Sequence, residues 1–344
     1  MEIRIISNLY NFECNDFKVD GTASTIKVKN NFLVSRDQSI KEAKFLDEDL
    51  RQAIGNIHIR ALKEHDMYVA AFLDVPKDLP RTEIVNITDI VVNSIHGFIY
   101  NLWFIKDNCV KFSEIFILLI GMNDTQNGYI HNTNKETIVN ANGSEHVVSF
   151  SKEELEGSII ITEKLTELLK KRDSDFGLRK EYQELENKEF ITVTAGIPHP
   201  DDYNDYNIIE RAFNFLRTAR GISHLPHRLA SYVPIFETLF GCGGSTEINY
   251  KISLRVAYYI GTDKADRVNI VELFKRVYNV RSRYFHGDVL DNKDRNIDEQ
   301  HRLSTEIDNL LRRTFIKIIM EDSAIFMRSS KSLESYFSDL ILGA

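Results

Sequence analysis

Residues 268–290 read VNIVELFKRVYNVRSRYFHGDVL. At 100° per residue, Ile270, Phe274, Val277, Tyr278 and Phe285 share one stripe, and Gly287 stands where a helix should stop. The segment predicts a long amphipathic helix over 266–286. Arg281 falls near the centre of the stripe. A guanidinium on an apolar face is costly unless it is paired or looks into a polar cleft. Arg281 is therefore expected to face an anion, a carboxylate partner or a subunit interface. His286 follows five residues later. A straight helix sets the two roughly 140° apart. They converge only if the last turn distorts at Gly287 or a second subunit supplies part of the site.

The same helical period continues on both sides. Helices are expected at about 207–220, 226–240, 246–260, 297–320 and 331–342, broken at Gly221, at the loop 241–244 and at Gly261. Before 207 the pattern changes. IRIISNLYNFEC and TIKVKNNFLV in the first 35 residues read as strands separated by Asp20-Gly21. Residues 38–65 read as helical, MYVAAFLDV (67–75) as a strand, roughly 84–106 as a core helix and EIFILLIG (114–121) as a buried strand. Residues 128–150 suggest a hairpin turning at Asn142-Gly143. Ser151 and Glu154 form a capping box opening a helix to about Lys171. The segment 196–206 holds two Pro, a Gly and three Asp, which marks a boundary. The fold class expected is an α+β N-terminal domain over 1–195, followed by an all-α C-terminal helical bundle over 205–344.

Composition sets limits on function. The chain has 344 residues, enough for two domains at about 150 residues each. Six Pro and 16 Gly leave no room for a long flexible linker. The net charge of −8 argues against a uniformly basic nucleic-acid coat. Residues 1–204 hold 33 acidic and 23 basic side chains, whereas 205–344 hold 18 and 20, so a polyanionic partner is expected on the back half. The apolar run Ile115 to Ile120 is too short to cross a bilayer. MEIRIISNLY lacks the apolar core of a secretory signal. Three scattered cysteines, Cys14, Cys109 and Cys242, fit a reducing, cytoplasmic setting better than a disulfide framework.

Other candidate sites are weaker. GCGGST (241–246) lacks the Lys-Ser/Thr of a P-loop and reads as a flexible connection. His224 and His227 in HLPH have no third local ligand, so no metal is expected there, and none elsewhere. Asp201-Asp202 reads as solvated linker. Glu247, Lys251 and Arg255 follow an i, i+4, i+8 spacing that reads as an exposed ion-pair ladder, with Arg255 reaching a phosphate as the functional alternative. Arg followed by His at x4 to x6 occurs six times: Arg51/His58, Arg60/His65, Arg217/His224, Arg220/His227, Arg281/His286 and Arg295/His301. Only Arg281/His286 closes a long amphipathic helix against a glycine. The residues alone leave an Arg–carboxylate pair and a His at a helix C-terminus equally open.

RAFNFLRTARG (211–221), HRLASYVPIFETLFG (227–241), TEINYKISLRVAYYIG (246–261) and LFKRVYNVRSRYFHG (273–287), in that order and spacing, resemble the Apea-like branch of the HEPN domains. The branch belongs to prokaryotic anti-phage and abortive-infection proteins. The resemblance covers about 207–320. It implies an all-α HEPN domain and a metal-independent endoribonuclease with an Arg-x4–6-His motif working across a homodimer. On this chain the motif falls on Arg281 and His286. The resemblance implies a toxin-like nuclease (hydrolase) with an RNA substrate, a 2′,3′-cyclic phosphate product and no cofactor. Lys275, Arg276, Arg283 and Arg255 would supply RNA-binding charge. Residues 1–195 match no known module and would sense a phage-derived trigger or regulate the nuclease. Two other readings stay open: a non-catalytic HEPN module binding RNA, nucleotide or a protein partner, and an assembly protein whose Arg281 is an interface ion pair.

Overall fold

The computed structural model describes residues 1–17, 25–28, 32–46, 48–112, 114–121, 127–133, 137–169, 206–242 and 248–343. The described residues form two compact units. One holds 1–133 and 146–162, the other 137–145, 163–169 and 206–343. The expected turn at Asp20-Gly21, the boundary segment through Asp205, Asp201-Asp202, Glu247 and most of the glycine loop lie outside the described residues.

The first unit is built on a six-stranded antiparallel sheet. Its strands are β1 (Glu2–Asn8), β3 (Thr25–Lys27), β4 (Phe32–Ser35), β5 (Tyr68–Asp74), β6 (Glu114–Ile120) and β7 (Gly128–Thr133), in the order β3-β4-β5-β1-β6-β7. β1 is central, with Ile5 opposite Ala71 on one side and Ile117 on the other. Successive side chains of a strand point to opposite faces, and here both faces are covered. Ile3, Ile5, Val69, Ala71, Ile115 and Ile117 pack against α3 (Arg81–Asn101) through Ile84, Val91, Ile95 and Phe98. Ile6, Tyr68, Ala70, Phe116 and Leu118 pack against Phe45 of α1 (Gln38–Phe45) and Leu50, Ile59 and Leu62 of α2 (Glu48–Glu64). Two-sided burial explains why β5 and β6 read as unbroken apolar runs, not alternating ones. Asp37 caps α1 by accepting from the Ser39 amide at 2.9 Å.

The hairpin expected over 128–150 does not form. β7 pairs with β6, while β8 (Val148–Phe150) runs parallel to β2 (Phe12–Cys14) in a separate two-stranded sheet. Asn142-Gly143 does make a tight turn, the Gly143 amide donating to Asn140 O at 2.8 Å, but the turn belongs to the helical unit. There Ile138, Val139 and Ala141 are buried. Gly143 has φ 77°, and a Cβ on it would stand 2.8 Å from Ser223 O. The capping box forms as expected at α4 (Lys152–Leu168). The Ser151 amide donates to the Glu154 carboxylate at 2.9 Å, and the Glu154 amide donates to Ser151 Oγ at 3.2 Å.

The second unit is helical: α5 (Ile208–Arg220), α6 (Leu225–Phe240), α7 (Ile248–Ile260), α8 (Lys264–His286), α9 (Ile297–Lys317), α10 (Ser323–Phe326) and α11 (Ser330–Leu342), with a π-helical turn at Ile318–Asp322. Asn207 and Glu210 make a reciprocal capping box at the start of α5. Its core is aromatic: Phe236 meets Phe274 edge-on at 4.6 Å, and Phe240 contacts Tyr259, Phe326 and Phe337. A polar network lies inside. Arg228, fully buried, donates from Nε to the Tyr232 hydroxyl at 2.7 Å and from one terminal nitrogen to Val139 O and Asn140 O. Tyr232 donates to Asp308 Oδ1 at 2.9 Å, and Arg312 donates to Asp308 Oδ2. Burial pushes the Tyr232 phenol far above its ordinary range, so it stays protonated and able to donate. No helix among the described residues is long and apolar enough to cross a membrane.

Candidate functional site

α8 carries the sequence motif. Asp263 caps it by accepting from the Asp266 amide at 2.9 Å. Its buried residues are Ile270, Phe274, Val277 and Val280. The buried stripe is thus turned toward Val280 relative to the one expected from sequence. Tyr278 stands at its margin and Phe285 is 58% exposed. Arg281 remains on the side of the stripe but is half-buried.

Arg281 differs from its neighbours in what it touches. Its guanidinium carbon lies 5.5 Å from the Tyr278 ring and 5.6 Å from the Phe285 ring. Its Nε, like those of Arg276 and Arg283, is buried without a hydrogen-bond acceptor, but unlike theirs its guanidinium has no carboxylate of a described residue within ion-pair distance. Arg276 and Arg283, by contrast, are both engaged. Arg276 bonds Asp294 at 2.6 Å and Glu299 at 3.1 Å. Arg283 bonds Asp291 at 2.7 Å and donates to Val289 O at 2.9 Å, tying down the chain that leaves the helix. Glu299 also accepts from Arg302, and the two arginines hold its carboxyl below the usual range. Lys275 is exposed.

Arg255 lies elsewhere. It is 5% exposed, donates to Phe240 O at 2.6 Å, bonds Glu334 at 3.1 Å and covers the Phe337 ring. It staples α6 to α11 and is not part of an exposed ladder. With its guanidinium over Phe337, the head satisfies an orphan carbonyl at the end of α6.

The end of α8 is regular. Gly287 takes the left-handed conformation (φ 74°), its amide bonds Tyr284 O, and the Asp288 amide bonds Arg283 O at 2.9 Å. That is a Schellman closure, which leaves the preceding turn α-helical. The distortion that would swing His286 toward Arg281 within one chain is absent. His286 is exposed at the helix terminus.

The structure brings two further histidines to this helix. His227 stacks on Tyr284 at 5.4 Å and 17°, and His224 lies 5.8 Å from the same ring. Both come from the start of α6, where Leu225 is buried and His224 is left outside. The sequence offers the two as a metal-ligand pair and as the histidines of Arg-x6-His spacings, neither of which joins them to Tyr284. Its partner ring lies some sixty residues away, a proximity that local spacing does not encode. The surface at this end of the helical unit therefore offers an arginine without a carboxylate partner, imidazoles and partly exposed aromatic rings. That set can hold a phosphate, move a proton and stack on a base. Compared with known proteins, the chain matches no family model, no curated protein and no solved structure.

Proposed function

We propose that the helical unit is a HEPN-type, metal-independent endoribonuclease whose active site forms between two copies of the chain from Arg281 and His286. The observation that carries this reading is Arg281. Two nearby arginines of the same helix are engaged with carboxylates, whereas Arg281 is braced by Tyr278 and Phe285 and keeps its charge for a ligand. RNA carries its own nucleophile. The 2′-hydroxyl attacks the adjacent phosphorus, the bond to the 5′-oxygen breaks, and a 2′,3′-cyclic phosphate and a 5′-hydroxyl remain. The proton leaving the 2′-hydroxyl passes to His286, and the leaving oxygen takes one up. Histidine suits that exchange near neutral pH. Arg281 supplies a planar, permanent cation for the charge developing on the phosphate.

Dimerisation enters because a regular helix holds Arg281 and His286 on different sides. Exposed Phe285 and Val289, next to the motif, provide apolar surface for a second copy. Lys275 adds unengaged positive charge, while Arg276 and Arg283 set the helix end and contribute field more than contact. Arg255, buried and engaged, is left out of the RNA-contacting set. By the family resemblance, the physiological role is an anti-phage effector restrained or triggered by the sheet unit. The test is incubation of the purified chain with total RNA in excess EDTA. Cleavage with cyclic phosphate ends supports the proposal. RNA binding without cleavage favours the non-catalytic HEPN module.

A further inference from the structure

The sheet unit holds a constellation that the sequence motifs do not include. Glu114 begins β6. Phe116 shares its face two residues on, and His131 of β7 pairs directly opposite Phe116. α2 crosses this face. The chain kinks within α2 at Gly55 (φ 80°, ψ 164°), a conformation open in practice to glycine, and His58 follows on the next turn. Burial of Ile59 and Leu62 against the sheet fixes the rotation of this segment. His58 thereby comes over the ends of β6 and β7.

The three side chains converge. His58 Nδ1 lies 3.1 Å from both oxygens of Glu114, and His131 Nε2 lies 3.6 Å from Glu114 Oε1. One ligand atom from each residue lies within 4.8 Å of the others. Tetrahedral ligands at about 2.0–2.1 Å from zinc stand about 3.4 Å apart; the two separations from Glu114, 3.1 and 3.6 Å, bracket that edge, and the ligand nitrogens of the two imidazoles lie within 4.8 Å of each other. The two imidazoles rest on one apolar surface. The Phe116 ring stacks on His131 at 4.8 Å and 11° and meets His58 edge-on at 5.6 Å. Such a floor excludes water from one side and orients the rings. The other side is open, each side chain being 27–34% exposed, so solvent can complete the coordination.

We propose that His58, Glu114 and His131 form a binding site for a divalent transition-metal ion of the zinc class, with water in the fourth position. Two imidazoles and one carboxylate are borderline ligands suited to zinc and unsuited to calcium or magnesium, which require more oxygens. The site clamps the second half of α2 to the edge strand β7. It is independent of the proposed RNA chemistry, which uses residues of the other unit.

The experiment is titration of the EDTA-stripped, dialysed full chain with ZnCl2 by calorimetry, repeated with CoCl2 by visible absorption. The expected result is one equivalent per chain, an intense tetrahedral-type cobalt spectrum and a rise in melting temperature with zinc. Glu114→Gln, His58→Ala and His131→Ala should each weaken uptake by more than roughly 100-fold, beyond the loss of an outer-shell partner. Their metal-free melting should stay near that of the parent, because the side chains are partly exposed. His224→Ala with His227→Ala should leave the stoichiometry at one. The proposal is overturned by the absence of saturable uptake, by uptake that survives all three substitutions, or by uptake that is lost only with His224 and His227.

Discussion

Arg228 Nε donates to the Tyr232 hydroxyl at 2.7 Å, one helical turn along α6, and that hydroxyl in turn donates to Asp308 Oδ1 at 2.9 Å. The relay is fully buried and joins two helices to the segment 137–145. Breaking a buried charged network by removing one partner typically costs about 3–5 kcal/mol, because the remaining groups are stranded. Arg228→Met is expected to destabilise the helical unit by that amount. Tyr232→Phe, which removes the hydroxyl that accepts from Arg228 and donates to Asp308, should cost about 1–3 kcal/mol. Denaturant unfolding followed by circular dichroism measures both, and Arg228→Met unfolding as late as the parent would refute the relay's role.

His286→Ala should abolish RNA cleavage and any cellular toxicity while leaving the fold intact. The side chain is exposed beyond the last buried turn, so its removal opens no cavity. A variant that cuts RNA at the parental rate excludes His286 as the proton carrier.

For Arg281, stability and activity should separate. No described carboxylate depends on it, so Arg281→Ala is expected to melt near the parent while cleavage falls roughly 10²–10³-fold. Arg281→Lys keeps the charge but loses the planar fork and the stacking on Tyr278 and Phe285, and should also be severely impaired. A large fall in melting temperature, with Lys restoring both fold and activity, would identify an ion pair.

A homodimer is expected at micromolar concentration, read by light scattering as twice the chain mass. Phe285→Asp should yield a monomer of normal helicity that no longer cleaves RNA. A parent chain that stays monomeric with and without RNA contradicts the composite site.

Lys41 gives a pH signature. It is buried, donates to Leu62 O at 2.9 Å and to His65 O, and lies over the Tyr68 ring. Burial pulls its pKa down to about 8 from 10.5. Between those values the unfolded chain binds more protons than the folded one, so stability rises with pH across that window. Below pH 8 the ammonium is charged in both states and its burial penalty is present in full. Relative to Lys41→Met, the parent should gain about 2 kcal/mol between pH 7.5 and pH 10. Urea unfolding of both proteins at the two pH values tests this, and a constant difference would show that Lys41 does not titrate in the fold.

Element types were legible in the sequence because local signals specify them. Asp263 and Gly287 bracket α8, Ser151 and Glu154 open α4, and Pro80 precedes α3. Pairings were not, because they rest on distant partners. Asn142-Gly143 signals a turn wherever the turn is used, and only the burial of Ile138, Val139 and Ala141 assigns it to the helical unit. The i, i+4, i+8 spacing that ends at Arg255 suits an exposed ladder, yet the Phe240 carbonyl and Glu334 draw that guanidinium inward. His58, Glu114 and His131 come from three elements, the first two 56 positions apart, and no spacing rule joins them. Arg281 and His286 were legible as a pair because helix periodicity fixes their angular relation.

The segment 137–145 also bears on how such a chain can evolve. It lies upstream of the 205–344 region in sequence but supplies the Val139 and Asn140 carbonyls that receive Arg228, and the Ala141 carbonyl that receives Ser304. A gene fusion joined at residue 205 would inherit the helices without these acceptors, and its buried Arg228 would lose two of its carbonyl partners. The helical half is therefore not a cassette that a single recombination event can transplant. Its inheritance is tied to a stretch of coding sequence interleaved with that of its neighbour, and the two halves should diversify together.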